Sequence, residues 1–557
     1  MRFRHCGLLV AILGLVACGE RADESAATNA AESEGAAPVV TQVIGGALIS
    51  GANGMAVGPD GLLYVASVLG SEIRALDPET GEVKQRWTAA DGVDGPDDVA
   101  FAPDGAMYWT SILTGEVAGF RPDGTRVTAA RLTPGVNPLT FSDDGRLFVS
   151  QCFFDDKLYE VDPLGKAEPR LIRGDLGPGC GLNGMDWGTD GRLYGPRWFR
   201  GEVVSLDVMS GEMHTVASGF DVPASVKFDP AGRLNVLDTK AGKVIRLEGD
   251  TRTALAELEP GLDNFAFDAE GRLFVSSFTD GFVVRFDTDG SRHELLPGGL
   301  AHPGGVAVRA GSDGTEVVIA DLHAVRSIHA ERAEPTSVER NVLGVSELGS
   351  SLSVTADGAR LILTSWVDGD VRVWDPASRT VVERYPAVGA PVDAGRYFGK
   401  LVVSEHASRS VLALEAGTGD ATARGDVFAE GLEAPTGLAT NGADLFVADR
   451  VRGQVLRIAS DGKRLDPAEV VAEGLDAPEG LAVHPDGLVV MEAGRGRVTL
   501  LGEDGSKRTL AELQVGLPAG SEAQPPSMVF NGVAVAPDGA VYVTGEHERA
   551  LYRIDLH

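Results

Sequence analysis

The sequence predicts an all-β protein of two tandem six-bladed β-propellers, with twelve four-stranded blades that follow a lipoprotein signal and a disordered tether. Three observations predict this fold class. One unit of short apolar runs recurs at a spacing of roughly 40–50 residues, as expected for propeller blades. The 72 glycines suit a fold with many tight turns, because glycine adopts positive φ without strain. No stretch shows sustained helical periodicity with capping residues.

The repeat unit is an apolar run, a Pro-Asp-Gly turn, a second apolar run, a few polar residues, a third apolar run and an Asp-x-x-Thr/Asp-Gly turn. Clear copies are segments 53–81 and 531–557. Short runs with β-branched or aromatic members, bounded by Gly, Pro and Asp, are typical of β-strands. The twelve units begin near Asn53, Asp97, Asn137, Asn183, Ala224, Asp263, Gly304, Ser350, Pro391, Thr436, Glu479 and Asn531.

The number of strands divides these units into two rings. Each blade needs an outer fourth strand; residues 39–44 precede the first repeat, and the last repeat has no outer strand after it. We therefore expect residues 39–44 to close the first ring and residues 292–296 to close the second by the same strand exchange. This predicts a first propeller over residues 39–290 and a second over residues 291–557. A single twelve-bladed ring satisfies the same count, but propellers typically have four to eight blades.

The first residues predict export and a lipid anchor. Arg2 and Arg4 precede an apolar stretch too short to span a bilayer, which is typical of a secretory signal. The stretch ends in Leu-Val-Ala-Cys, which resembles the lipobox of bacterial lipoproteins. The resemblance implies a signal peptide over residues 1–17, lipidation of Cys18 and, because Gly19 is not Asp, sorting to the outer membrane. An ordinary signal peptide followed by a chance cysteine is the alternative.

The segment over residues 18–38 is rich in Ala, Glu and Ser and has no aromatic residue, which predicts a flexible tether. The formal net charge is −32, and loss of Arg2 and Arg4 with the signal takes it to −34. Because a chain this acidic repels the phosphate backbone of nucleic acids, we expect no nucleic-acid partner. The expected partners are the membrane, through the lipid on Cys18, and a protein, glycan or small molecule. The expected location is the cell envelope, facing the periplasm or the cell surface.

The four cysteines predict one disulfide. Cys6 leaves with the signal and Cys18 carries the lipid, so only Cys152 and Cys180 remain in an oxidising compartment. Cys152 follows the second strand of the third blade, and Cys180 lies just before the innermost strand of the fourth. We expect them to pair at one mouth of the ring. Two isolated buried thiols are the alternative.

Candidate chemistry lies where the innermost strands meet the axis, because function belongs to sites rather than to folds. We call the residue that opens each innermost strand the opening residue. Five of the six in the first propeller are Asn or Asp, whose oxygens suit one hard divalent cation, Ca²⁺ or Mg²⁺. The predicted cation ligands are Asn53, Asp97, Asn183 and Asp263. The alternative is that these side chains only cap the turns before the strands. No pattern indicates a nucleotide, haem or flavin.

The second propeller lacks such a set at its opening residues, Gly304, Ser350, Pro391, Thr436, Glu479 and Asn531. Its acidic residues follow the second strand of each blade instead, and we expect them to bind backbone N–H groups. These residues are Asp321, Glu405, Asp449 and Glu492. His406 beside Glu405, and His547 beside Glu546, are candidate acid–base pairs. Neighbours along a strand point to opposite faces, however, which argues against either pair.

The repeats resemble the six-bladed superfamily that contains NHL repeats, streptogramin lyase, strictosidine synthase and the regucalcin/gluconolactonase family. The general resemblance covers about residues 40–557. LNGMDWGTDGRLY (182–194) and LDNFAFDAEGRLFVSSF (262–278) are similar to gluconolactonase segments. NGVAVAPDGAVYVTGE, from residue 531, is faintly similar to streptogramin lyase blades.

The gluconolactonase resemblance implies one divalent cation, held by a Glu, an Asn and an Asp at opening positions, and a further Asn that holds substrate. The Asn ligand matches Asn183, and the substrate-binding Asn matches Asn137. The Glu position holds Asn53 and the Asp position holds Ala224, so two of the three ligands are replaced. The ion would have to shift toward the acidic opening residues of the other blades.

Two functional hypotheses follow. The first is a lipid-anchored propeller that binds a protein, glycan or small ligand without catalysis. The second is a divalent-metal-dependent hydrolase of lactones or esters that uses the mouth of the first propeller. A lyase of the streptogramin type is a weaker version of the second, because its His and Glu residues have no clear match in the chain.

Overall fold

The computed structural model describes residues 37–177, 179–415, 422–514, 530–545 and 547–556. The predicted signal peptide, the lipidated Cys18, most of the tether and Glu546 lie outside these residues. Pro38–Leu556 form one compact unit. Its strands make twelve antiparallel four-stranded sheets, and its helical residues are two short 3₁₀ turns, Ala89–Asp91 and Trp198–Arg200.

The first propeller is formed by six consecutive sheets, each of four consecutive strands from the axis outward. Its first three blades are β2 (Met55–Val57), β3 (Leu63–Ser67), β4 (Glu72–Leu76) and β5 (Val83–Thr88); β6 (Pro96–Phe101), β7 (Met107–Ser111), β8 (Glu116–Phe120) and β9 (Arg126–Arg131); β10 (Val136–Phe141), β11 (Leu147–Gln151), β12 (Leu158–Val161) and β13 (Arg170–Arg173). Its last three blades are β14 (Asp186–Trp187), β15 (Leu193–Arg197), β16 (Glu202–Leu206) and β17 (Met213–Ser218); β18 (Pro223–Phe228), β19 (Leu234–Asp238), β20 (Lys243–Glu248) and β21 (Thr251–Glu257); β22 (Leu262–Phe267), β23 (Leu273–Ser277), β24 (Val283–Phe286) and β25 (Arg292–Leu296).

The second propeller follows the same plan, and only its last blade takes a strand from elsewhere in the chain. Its first three blades are β26 (Val306–Gly311), β27 (Gly314–Asp321), β28 (Ala324–His329) and β29 (Pro335–Arg340); β30 (Ser353–Asp357), β31 (Arg360–Ser365), β32 (Asp370–Asp375) and β33 (Thr380–Tyr385); β34 (Pro391–Tyr397), β35 (Lys400–Glu405), β36 (Ser410–Glu415) and β37 (Ala423–Ala429). Its last three are β38 (Pro435–Thr440), β39 (Asp444–Asp449), β40 (Gln454–Ser460) and β41 (Lys463–Ala472); β42 (Pro478–His484), β43 (Gly487–Glu492), β44 (Arg497–Leu501) and β45 (Lys507–Glu512); β46 (Val533–Val535), β47 (Val541–Gly545) and β48 (Ala550–Asp555) with β1 (Val39–Ile44).

Contacts between inner strands close two separate rings, as the sequence predicts. Inner strand β2 of the first blade lies against β22 of the sixth, and β26 of the seventh blade lies against β46 of the twelfth. The first ring is also closed by hydrogen bonds, since Ser276 Oγ donates to the Asn53 carbonyl (2.8 Å) and the Ala52 N–H donates to the Ser277 carbonyl (3.1 Å). These contacts exclude one twelve-bladed ring.

The predicted strand exchange is wrong in its partners. Strand β1 pairs with β48 in the last blade, and Arg292–Leu296 pairs with β24 as the outer strand of the sixth blade. The first propeller therefore closes without strand exchange and is inserted between β1 and the rest of the second propeller. Outer strands such as β1 and β25 are short and exposed over most of their length, so the pattern alone does not specify which blade edge each one joins. The predicted boundary at residue 290 depended on this exchange, and the pairing assigns β25 to the first propeller.

Neighbouring blades pack face to face through apolar and aromatic side chains. Tyr64 on a second strand meets Phe101 on the next inner strand edge-on, with ring centroids 4.8 Å apart. Phe148 of the third blade stacks on Trp187 of the fourth, at 5.3 Å. Rigid aromatic pairs of this kind fix the angle between blades. The Pro-Asp-Gly turns lie next to these aromatic pairs, where the inner strands end, and Tyr64 donates a hydrogen bond to the turn residue Asp60 at 2.9 Å. We call that end of each ring the turn face.

Two chain segments cross between the propellers side by side. Gly46 and Leu300 form a parallel bridge, and Ser50 Oγ donates to the Ala301 carbonyl (2.6 Å). Nearby, Arg326 and Arg340 of the seventh blade both pair with Asp280 of the sixth, at 2.9 and 3.1 Å. Ion pairs between largely buried groups in fixed geometry orient the propellers at this junction.

Candidate functional site

The six opening residues of the first propeller lie at the end of the ring opposite the turn face, and we call this end the opening mouth. Four of them are polar and nearly buried: Asn53 is 4% exposed, Asp97 7%, Asn137 8% and Asn183 7%. Asp263 is partly exposed. The inner strands place them here because each strand starts at the mouth and runs toward the turn face.

Asn53 differs from the other opening residues because the fold uses its side chain. The Val68 N–H donates to Asn53 Oδ1 at 3.0 Å. Val68 follows the second strand of the same blade, so this bond ties the start of the inner strand to the next turn. Asn53 therefore has the turn-capping role that the sequence left open as the alternative.

The remaining polar opening residues are not used in this way. Within the described parts of the chain, no hydrogen bond or ion pair engages the side chains of Asp97, Asn137, Asn183 or Asp263. Most buried polar groups in folded proteins have a partner. The polar atoms of these four side chains remain accessible at the mouth around one axis, where a ligand, an ion or water can complete their hydrogen bonds.

The two acidic opening residues interact electrostatically. Burial, with the neighbouring charges of Asp263 and Asp98, raises the pKa of Asp97 well above its usual value. Burial and the charge of Asp98 raise the pKa of Asp263 to about 7. Like charges in a desolvated place disfavour ionisation of both groups. At neutral pH the mouth therefore favours either a shared proton or a bound positive charge.

A second layer of polar residues lies one position below the mouth and was missed from the sequence. Asp98 accepts from the Leu139 N–H of the third blade (3.3 Å) and from Asn264 Nδ2 of the sixth (3.4 Å). Asn264 Oδ1 in turn accepts from Ser225 Oγ of the fifth blade at 2.8 Å. This chain of bonds crosses the axis and links four blades. The sequence contains a signal for this second layer. In the doublets Asp97-Asp98 and Asp263-Asn264, the opening residue is followed directly by another polar residue.

Gly54 makes this crossing possible. A Cβ at Gly54 would lie 2.1 Å from Asp98 Oδ1, which is closer than any real contact. The first blade therefore contributes backbone only at this level, and Asp98 occupies the space.

One cation lies below the polar crossing. Burial raises the pKa of Asp98 and of Asp186, and the ammonium of Lys227 acts in the opposite direction on both. Asp186 also accepts from the Phe228 N–H at 2.8 Å, so it joins the fourth blade to the fifth. The axis of the first propeller is thus occupied by charged side chains that partly compensate one another.

The donors at the mouth are of the right kind for a hard cation, but their number is limited. Among the described residues, no group of three or more His, Cys, Asp or Glu side chains is placed to hold a metal ion. The acidic donors are Asp97 and Asp263, and any further ligands would be amide oxygens of Asn183 and Asn137. The cation site thus stays a prediction that the unpaired carboxylates support chemically.

The rim of the opening mouth is built by the predicted disulfide and by the second propeller. Cys152 and Cys180 form the disulfide and are both buried. They pack in one apolar cluster with Trp198, Val342 and Leu343. Trp198 Nε1 also donates to the Leu343 carbonyl at 3.2 Å. A segment of the second propeller therefore lies against the rim of the first.

The opening residues of the second propeller are corrected at two blades. Strand pairing aligns Leu352 and Val392 with the other opening residues, instead of Ser350 and Pro391. Shifted unit boundaries in the two least regular repeats explain the difference. The set contains one buried acid, Glu479, which accepts from Arg450 Nε (3.0 Å) and from Asn531 Nδ2 (2.8 Å).

The acidic residues after the second strands hold backbone, as expected. Asp449 accepts from the N–H groups of Glu433 and Ala434, at 2.9 and 3.1 Å. Asp321, Glu405 and Glu492 each accept at least one such bond from the segment that leads into their own inner strand. Glu405 is buried and its neighbour His406 is exposed, so the two do not form a pair. Glu546 of the other pair lies outside the described residues, so that pair stays untested.

No family model matches this chain, and no curated protein matches it either. Among solved structures, a streptogramin B lyase is 13% identical, with a TM-score of 0.37 over 51% of this chain and 94% of its own. The virginiamycin B lyase of Staphylococcus aureus is 12% identical, with a TM-score of 0.36 over 51% and 95%. The extracellular domain of BT4673 from B. thetaiotaomicron is 11% identical, with a TM-score of 0.31 over 92% and 82%. These similarities concern the fold alone.

Proposed function

We propose that this protein is a lipid-anchored binding module of the cell envelope, whose first propeller holds a small polyhydroxylated ligand at its opening mouth. One observation carries the proposal: four polar side chains, Asp97, Asn137, Asn183 and Asp263, surround one axis without protein partners. Protein ligand sites combine a few convergent polar groups with a sheltered surface.

The chemistry of the mouth favours a ligand with many hydroxyl groups. Carboxylates only accept hydrogen bonds when ionised, whereas the amides of Asn137 and Asn183 both donate and accept. A hydroxyl group does both and therefore suits either kind of partner. At the rim, the partly exposed ring of Phe199 adds apolar surface for the face of a sugar-like ring.

The anchor is the part of this proposal that depends on the N-terminal sequence alone. The lipobox-like run before Cys18 supports it, together with the tether that separates Cys18 from the first strand. In the described part of the chain, no helix has the length and apolarity needed to cross a bilayer. Incorporation of a labelled fatty acid into the unsubstituted chain, and its loss in Cys18→Ser, tests the anchor separately from the ligand.

The binding proposal is tested by calorimetry on the chain from residue 19 onward, with glucose and gluconate as probes. We expect saturable binding of at least one probe, and at least a tenfold loss of affinity in Asn183→Ala and in Asp97→Asn. Asp504→Asn is the matched control, because Asp504 is an exposed turn residue far along the chain. Absence of binding by the unsubstituted chain, or equal binding by all variants, would contradict the proposal.

The acid pair favours hydrolysis of lactones or esters as a second candidate function. A carboxyl group with a pKa of about 7, as for Asp263, can take up a proton from water near neutral pH. A divalent cation, if bound by Asp97 and Asn183 with Asp263 left free as the base, would polarise a carbonyl. The residues of the chain would then orient the substrate through Asn137 and exclude water through the rim.

Hydrolysis is tested with δ-gluconolactone and p-nitrophenyl acetate, with and without Ca²⁺ or Mg²⁺, and metal binding is measured directly. The hydrolase hypothesis predicts cation-dependent turnover that Asp263→Asn reduces by about 10²–10⁴-fold, the range for loss of a general base. Saturable sugar binding without turnover would support the binding module and exclude the hydrolase.

A further inference from the structure

The second propeller contains a cavity on its axis. The cavity has a volume of about 370 Å³ and is enclosed by all six inner strands. Roughly a dozen water molecules would fill it at about 30 Å³ each. Its size lies at the lower end of the range for small-molecule sites.

The side chains that line this cavity are mostly aliphatic. Val306, Val354, Leu438, Leu481 and Val533 are among them. Aliphatic side chains offer no hydrogen-bond partner to water, so an apolar group displaces the water that lies against them at little cost. The occupant favoured by the walls is therefore an apolar body.

One acid faces into this apolar space. Asp393 lines the cavity and is nearly buried. Its Oδ1 accepts from Ser353 Oγ (2.7 Å) and from the Ala394 N–H (2.9 Å), and its Oδ2 accepts from the Leu438 N–H (2.9 Å). A carboxylate oxygen can accept two hydrogen bonds, so Oδ2 keeps one free position. No Lys, Arg or His in the described chain forms an ion pair with Asp393.

The carboxyl group of Asp393 has hydrogen-bond donors but no cationic partner among the described residues. Burial raises its pKa, and the backbone and hydroxyl donors around it act against that rise. Arg396 also lines the cavity, but its guanidinium group pairs with Asp357 and Glu383 instead. A positively charged donor from a ligand would supply both the missing charge and the missing hydrogen bond.

Access to the cavity lies at the turn face of the second propeller. A second, shallower cavity shares three wall residues with it, Val308, Val483 and Val535, and reaches His484 and Pro537 at the turn face. The route is therefore independent of the opening mouth and of the junction between the propellers.

We propose that the axial cavity of the second propeller binds a small apolar amine, with its ammonium group on Asp393 and its apolar body against the aliphatic walls. This site is separate from the proposed site in the first propeller and does not depend on it. Its ligand class is also different, because one axis presents buried polar groups to a hydroxylated ligand and the other presents one carboxylate in an apolar tube.

The test compares 2-phenylethylamine with 2-phenylethanol, which have nearly the same shape, by calorimetry at pH 7 on the chain from residue 19 onward. We expect the amine to bind at one site at least tenfold more tightly than the alcohol. Asp393→Asn should remove this preference. Ala482→Phe, which fills the cavity from its wall, should abolish binding of both probes.

Ala377→Phe is the control for Ala482→Phe, because Ala377 is exposed in a turn of the same propeller and a phenyl group there fills no cavity. Equal affinity for amine and alcohol in the unsubstituted chain, or full amine binding by a folded Ala482→Phe variant, would overturn the proposal. If the variants fail to fold, hydrogen exchange in the unsubstituted chain decides. The amine should slow exchange of the Ala394 and Leu438 amides, and unchanged exchange rates would refute the site.

Discussion

The two propellers share one plan, but their axes are built differently. Three residues below the opening residues, the first propeller places Asp186 and Lys227 on adjacent blades, where they compensate each other's charge across the axis. The same level of the second propeller has only small residues, among them Ala439, Ala482 and Ala534, and these line the 370 Å³ cavity. The two rings share one arrangement of strands, and a few side chains therefore decide whether the axis holds a pair of charged groups or a cavity.

The opening ends of the two rings also differ, in whether their polar side chains have protein partners. Unpaired polar side chains gather at the opening mouth of the first propeller, whereas Glu479 in the second is paired with Arg450 and Asn531. The first propeller therefore has unpaired polar groups at its mouth, and the second has a cavity along its axis. This difference supports two sites of different chemistry on one chain.

The largest effect should come from the closure of the rings. Deletion of residues 38–44 removes β1 from the last blade, and with it several backbone hydrogen bonds worth roughly 1 kcal/mol each. We expect a loss of several kcal/mol in the second propeller and little change in the first. Hydrogen exchange followed by mass spectrometry distinguishes the two rings.

Deletion of residues 292–296 is the matched control, because this strand is the outer edge of the sixth blade. Loss of this strand should weaken protection of backbone amides against hydrogen exchange in the first propeller only. A deletion of 38–44 that loosens the first ring instead would show that the strand pairing is wrong.

A smaller effect on stability should distinguish the two buried acids on the axes, Asp98 in the first propeller and Asp393 in the second. Asp98→Ala leaves the N–H groups of Leu139 and Val99 without this partner and also frees Asn264. Asp393→Ala likewise leaves the N–H groups of Leu438 and Ala394 and the Ser353 hydroxyl without it. Each buried group left unpaired costs about 1–3 kcal/mol. We expect Asp98→Ala to be the more destabilising change, because it also removes a charge that compensates Lys227. Urea unfolding measures the difference, and equal losses would mean that the polar crossing adds nothing to the first axis.

The smallest effect is a pH dependence specific to the first propeller. The pKa of Asp263 is raised from 3.8 to about 7, so the folded state binds a proton that the unfolded state has already lost between these values. The stability that this proton contributes is fully present below about pH 4 and is lost as the pH rises through about 7. Asp263→Asn should flatten the change of unfolding temperature over this window.

Calcium supplies the complementary measurement. If Asp97 and Asp263 bind a cation, added Ca²⁺ should raise the unfolding temperature at pH 8 in the unsubstituted chain and much less at pH 5, where the carboxyl groups are protonated. A calcium effect of the same size in Asp263→Asn would show that the ion binds elsewhere.

Much of the architecture could be predicted from the sequence because it depends on local physics. Glycine-containing turns and short apolar runs specify hairpins within a few residues, so the twelve blades and the approximate start of each were readable. The Cys152–Cys180 disulfide was also readable, since the repeat register places both residues at the same end of adjacent blades. The predicted opening residues were wrong in the two least regular repeats, where strand pairing assigns the position to Leu352 and Val392.

The candidate site was predicted only in part. The sequence gathered Asp97, Asn137, Asn183 and Asp263 at one mouth, because the opening position repeats in every blade. It did not show that Asn53 is used by the Val68 N–H, because that bond depends on the path of the following turn.

The tertiary structure alone decided how the two rings are joined and what occupies their axes. Strand β1 and the strand over residues 292–296 have similar patterns, and only long-range pairing specifies that the former closes the second ring and the latter completes the sixth blade. Likewise, the approach of Leu343 to Trp198 joins residues far apart in the chain. Hairpins are determined by neighbours in sequence, whereas ring closure, the contact between propellers and the axial cavity depend on side chains that meet only when whole blades pack.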